Sequence, residues 1–102
     1  MGGFSQAAKQ IIYDRANGLC VWCHLGELFV FGCWWEFHHR KLRQMGGSRD
    51  PRIDHPDNGA LAHGRCHNGG PDTIHGNRDE AVSRGLIIPQ WAEIPVWSGE
   101  AA

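Results

Sequence analysis

Cys20-x-x-Cys23 and His63-x-x-Cys66 are the residues whose types and spacing most directly announce chemistry. Two residues between a pair of ligands form a tight turn that aims both at one ion. The two pairs, with residues 24–62 between them, read as one Cys3His cage for a structural Zn2+. Four protein ligands leave no position for substrate, and the binding energy of such an ion contributes directly to folding. His63 has rivals for the fourth position, namely Cys33 and His24. Cys33, inside an aromatic run, also reads as a small buried hydrophobe.

The stretch WWEFHHRKLR, residues 34–43, raises a second chemistry. It sets His38 and His39 side by side, directly ahead of Arg40, Lys41 and Arg43. On an extended segment, neighbouring side chains point to opposite faces, so the two imidazoles can take different tasks. An imidazole can ligate a cation, or it can take a proton near neutral pH. His67 and His75 fall beside turns further along, and His55 reads as an ordinary loop residue. Residues 40–52 hold Arg40, Lys41, Arg43, Arg49 and Arg52 against one acid, Asp50. That local excess is enough to meet phosphates, with Arg40, Lys41 and Arg43 as the named contacts and Arg49 and Arg52 as further candidates, and a solvated loop is the other reading of the same charge. Such contacts position a nucleic acid without reading its sequence. Glu36 is expected at a solvated strand position, and orienting a metal ligand is its other reading.

The elements that must position these groups are short. Ser5 can cap a helix over about 6–16, with Ala8, Ile11, Ile12 and Ala16 on one face and Asn17-Gly18 as its stop. Two strand-like runs, 27–31 and 33–39, flank Gly32 and predict a β-hairpin. Residues 40–57 read as a long loop rich in glycine, proline and aspartate. GALAH, 59–63, is a short strand or turn, and 77–85 predicts a helix with Asn77 as its cap. The apolar tail that follows is expected to pack on the body.

With 102 residues, one domain spanning 1–102 is expected. The 14 glycines and 5 prolines point to many turns, and so short a chain is expected to need a staple. No apolar run is long enough for a bilayer, and the N-terminus lacks the layout of a secretion signal. A reducing cytoplasm is the expected compartment, where closely spaced cysteines point to metal rather than disulfides. The net charge of −1 does not by itself announce a nucleic-acid binder.

FHHR (37–40), DNGALAHGRCH (57–67) and IH (74–75) together resemble the HNH endonucleases, which carry a ββα-metal motif. From Asn58, the spacing to His63, Cys66 and His67 follows that family's run of Asn-Leu-x-x-Leu-Cys-x-x-Cys-His. Gly59, Ala62 and His63 stand where the family has leucine, leucine and cysteine. The resemblance covers roughly residues 20–85 and is nearest in layout to small phage-encoded members. It implies an α+β fold: a zinc-stapled ββα-metal domain with an N-terminal helix and a β-hairpin. The zinc ribbon and ββα core would span about 20–76, and a C-terminal helix and tail about 77–102.

By the same resemblance, His38 and His67 would bind a catalytic divalent metal (Mg2+, Mn2+, Ni2+ or Zn2+), with His39 left unligated as the general base. Asn58 would brace the loop and position His39. His75 would be either a third ligand or a phosphate contact. The implied activity is hydrolysis of DNA phosphodiester bonds, with DNA as partner and the host cytoplasm as setting. Small phage proteins of this kind act beside the terminase and packaging machinery. The substitutions at Gly59, Ala62 and His63 support an alternative, a DNA-binding or assembly module with weak or no turnover. Trp91 and Trp97 either cover the small core or meet a partner.

Overall fold

The structure is a computed structural model that describes residues 3–26, 34–42, 52–68 and 70–97. It has an α+β architecture in which a two-stranded antiparallel sheet is packed among short helices.

Helix α1 spans Gln6–Arg15. Ser5 is extended and its hydroxyl accepts a hydrogen bond from Ala8 N at 3.1 Å, which satisfies one orphan donor of the first turn. Ala8 and Ile12 are buried, one above the other at i and i+4. Ile11, expected on the same face, is 51% exposed. It lies about 100° around the helix from Ile12, outside the narrow stripe that the sheet covers. Asn17 and Gly18, at φ 55° and 68°, end the helix in the left-handed region.

Strand β1 is Trp35–His39 and strand β2 is Gly59–His63. They pair with Trp35 opposite His63, Phe37 opposite Leu61 and His39 opposite Gly59. Strand β1 joins β2 across the long loop, and the partner that the expected hairpin would place at 27–31 is not among the described residues. Residues 27–33 lie outside the described residues. Strand β2 was easy to underrate, because all five of its residues are buried and its sequence lacks the polar–apolar alternation of a half-exposed strand.

The sheet divides the core. Leu61 packs with Phe4, Ala8 and Ile12 beneath α1, where Trp35 and Phe37 also pack. Ala60 and Ala62 face the other way, into a cluster with Cys20, Val21, Cys66, Ile74, Ala81, Leu86 and Ile87. Gly59 has a packing reason. A Cβ there would lie 2.2 Å from Ile12 Cδ1, so α1 can cross β2 this closely only over glycine.

Helix α2, Gly64–His67, follows β2 with no intervening loop. Backbone bonds from Ile74 N to Cys66 O (2.9 Å) and from His75 N to His67 O (3.2 Å) fold residues 74–75 back onto it. Helix α3 is Arg78–Ser83, shorter than expected. Asn77 precedes it but does not cap it. Its side-chain amide instead donates to the carbonyls of Pro71 and Thr73, closing the preceding turn. Beyond Gly85 (φ 76°), the tail buries Leu86, Ile87, Ile88 and Ile94. Trp97 packs against the core, whereas Trp91 is 88% exposed. No helix among the described residues is long and apolar enough to cross a membrane.

Candidate metal centres and their neighbours

The ligand atoms of Cys20, Cys23, His63 and Cys66 all lie within 4.8 Å of one another. The two cysteines sit in the turn after α1, which is closed by bonds from His24 N to Cys20 O and from Cys20 N to Leu25 O, both 2.8 Å. His63 ends β2. Its Nε2 is 2.8 Å from Gly26 O. A carbonyl can only accept, so Nε2 carries the hydrogen and Nδ1 keeps the lone pair. That lone pair faces Cys23 Sγ at 3.3 Å. Trp35 stacks on the outer face of the ring at 4.6 Å.

The donor set fits a zinc ion. Zn–S bonds of about 2.3 Å place tetrahedral ligands about 3.8 Å apart. Burial, and then the neighbouring Cys20 and Cys23, push the Cys66 thiol up to about 12. Burial likewise raises Cys23. Three crowded sulfurs resist ionising together, and a divalent cation is what reverses that preference. His24 is outside the group, with Nε2 3.4 Å from Arg84. Cys33 lies outside the described residues.

His38, His67 and His75 form a second group, again with ligand atoms within 4.8 Å. His38 is fully buried, and its Nε2–H donates to Leu86 O at 2.5 Å. His67 Nδ1 lies 2.7 Å from Glu36 Oε1. With both outer nitrogens turned to oxygen acceptors, the inner ones, His38 Nδ1 and His67 Nε2, meet at 3.0 Å. Burial, opposed by the Leu86 carbonyl and reinforced by the neighbouring histidines, lowers His38 to about 3. Burial and then His67 lower His75. Neutral imidazoles with convergent lone pairs are the donor state a transition metal needs. His75 is exposed, so this group has an open side, unlike the four-ligand cage. Of the two readings for His75, ligand or phosphate contact, the fold brings it to the other two histidines.

His39 leaves β1 on the opposite face and is not in that group. Its Nε2 is 2.8 Å from Asp54 Oδ1, and its ring stacks on Phe4 at 4.1 Å. Asp54 also accepts from Gly3 N at 3.1 Å. Asn58 is fully buried beside this corner. Its Oδ1 accepts from Lys41 N (2.6 Å), and its amide donates to Lys41 O (3.0 Å) and Ile53 O (2.8 Å). It thereby ties the end of β1 to the segment that presents Asp54.

Two expectations are corrected. Arg40 is 3% exposed: it donates to Gly85 O and Asp57 O, both at 2.7 Å, and its guanidinium lies 3.8 Å over Trp97. Burial pulls its pKa down to about 10. Lys41 is 8% exposed, and its Nζ donates to Ala92 O at 2.9 Å. These cations hold the tail to the end of β1 and are not presented to a phosphate. Long stems let charged heads reach inward carbonyls, which a charge run in sequence does not reveal. Arg43 and Arg49 lie outside the described residues, and Arg52 pairs with Asp57. Glu36 is the second correction. Rather than being solvated, its carboxylate meets His67 and accepts from Trp34 Nε1 at 2.8 Å.

Sequence reading missed Asp54 altogether. Several acids punctuate the loop, and none carries a spacing signal toward His39. Comparisons with models of protein families, with curated proteins and with solved structures find no match for this chain.

Proposed function

We propose that the chain is a divalent-metal-dependent DNA endonuclease of the HNH kind. One observation supports this most: His38, His67 and His75 converge on one face of β1, while the adjacent His39 turns away to Asp54. His38, His67 and His75 would hold the ion, which supplies Lewis-acid stabilisation of charge developing on a phosphate. His39 is the proton acceptor. Asp54 accepts from Nε2–H and so makes Nδ1 the basic nitrogen. That nitrogen takes a proton from the attacking water as the water oxygen bonds phosphorus and the P–O bond to the leaving oxygen breaks. Asn58 keeps the strand end and the Asp54 segment in register. A place beside phage DNA-packaging proteins is part of the proposal, and it rests on the family resemblance alone.

The test is cleavage of supercoiled plasmid with Mg2+, Mn2+, Ni2+ or Zn2+, with and without chelator. Wild type should cut with at least one of these ions. His39→Ala should lose about 10²- to 10⁴-fold in rate while retaining bound metal. Trp91 and Val96, 88% and 80% exposed, favour a second reading, an assembly module without turnover. Failure to cut with any ion, alongside retained DNA binding, would favour that reading.

A further inference from the structure

Glu36 occupies β1 two residues before His38, and so on the same face as His38. Its two carboxylate oxygens are both engaged. Oε1 is 2.7 Å from His67 Nδ1 and Oε2 is 2.8 Å from Trp34 Nε1. The Trp34 indole is half-exposed and packs along one edge against the backbone. It lies over Gly64, where a Cβ would come within 2.4 Å of Nε1, and Gly64 N donates to Trp34 O at 2.8 Å. The first residue of α2 therefore cannot carry a side chain without displacing the indole. The chain Gly64–Trp34–Glu36–His67 runs from the start of α2 back to its end.

The indole Nε1–H of Trp34 can only donate, so Oε2 accepts from it and Oε1 is left to face His67 Nδ1. An ionised carboxylate only accepts, so the ring nitrogen facing it must donate.

We propose that Glu36 is a positioning residue that fixes the metal-binding tautomer of His67. With Nδ1–H held by the carboxylate, the Nε2 lone pair is delivered to the point where His38 and His75 converge. Carboxylate partners of this kind orient a ligating imidazole and raise its basicity, and losing one typically costs 10–100-fold in metal affinity. The inference rests on reading the three histidines as a metal site. It does not depend on which reaction that site performs.

The probe is Ni2+, titrated calorimetrically into protein whose cysteine cage is already loaded with zinc. The His67 tautomer is read from 15N shifts before Ni2+ is added. Wild type should show Nδ1–H and take up one Ni2+. Glu36→Ala should lose the fixed tautomer and bind Ni2+ about 10–100-fold more weakly, with its zinc content unchanged. Should the alanine variant fail to retain zinc, the isosteric Glu36→Gln is measured instead, and weakened Ni2+ binding is again the expected result. Wild-type affinity in a zinc-loaded variant, or an Nε2–H tautomer in wild type, would overturn the role of Glu36 alone. Absence of any Ni2+ uptake by wild type would overturn the three-histidine site, and this role with it.

Discussion

His38 Nδ1 and His67 Nε2 face one another at 3.0 Å across the junction of β1 and α2. The opposite nitrogens of both rings are occupied by oxygen acceptors, Leu86 O for His38 and Glu36 for His67. Two lone pairs aimed at one point repel unless a proton or cation lies between them. A metal ion there would satisfy both lone pairs, and His75, folded back onto α2, lies close enough to share it.

A zinc ion in the cysteine cage is proposed to carry the fold. Cys20 and Cys66 sit inside the larger hydrophobic cluster, so losing an ion held there would expose the core as well as the ligands. Structural zinc in small domains is worth about 10–16 kcal/mol of binding free energy. Cys66→Ser, or strong chelation of wild type, is expected to abolish the cooperative thermal transition. A chelated protein that melts as sharply as the zinc-loaded form would remove the cage from this role.

Gly59 is predicted to be intolerant for steric reasons. Gly59→Ala drives a methyl into Ile12 and should destabilise by about 1–3 kcal/mol. Denaturant titration checks this, and pairing it with Ile12→Val should recover part of the loss. An alanine variant as stable as wild type would mean that α1 does not sit over β2 as described.

Arg40 should matter to stability and not to DNA. Arg40→Ala removes two charge-assisted bonds to carbonyls and the stack on Trp97, an expected loss of about 2–4 kcal/mol. The salt dependence of DNA binding should keep its slope, because no phosphate contact disappears. A flatter slope with unchanged stability would restore the reading of Arg40 as a phosphate contact.

Asp54→Asn should separate orientation from ligation. Without the carboxylate, His39 loses the partner that sets its tautomer, and turnover is expected to fall about tenfold or more. Metal content should not change, since neither residue belongs to either ligand group. Loss of a bound ion in this variant would place His39 in the wrong role.

Local signals in the sequence were legible, and contacts across the chain were not. The Cys-x-x-Cys and His-x-x-Cys turns, and the cap and stop of α1, are written within a few residues, and the fold brings the four cage ligands together. Strand β2 was legible as a strand or turn at 59–63, but a fully buried strand has no polar–apolar period to decide between the two. Arg40 and Lys41 read as surface because their inward carbonyl partners are distant in sequence, Gly85 and Asp57 for Arg40 and Ala92 for Lys41. Asp54 escaped, and orienting a ligand stayed the second reading for Glu36, for a related reason: 15 and 31 residues separate these acids from their histidines, and charge alone does not say which acid meets which imidazole.

The most direct test is metal stoichiometry by elemental analysis on wild type, Cys20→Ser and His67→Ala. Two ions per chain are predicted for wild type. His67→Ala should keep the chelation-resistant ion and lose the other, and Cys20→Ser should lose the resistant one. Equal metal content in wild type and His67→Ala would contradict the account, because the three histidines would then hold nothing.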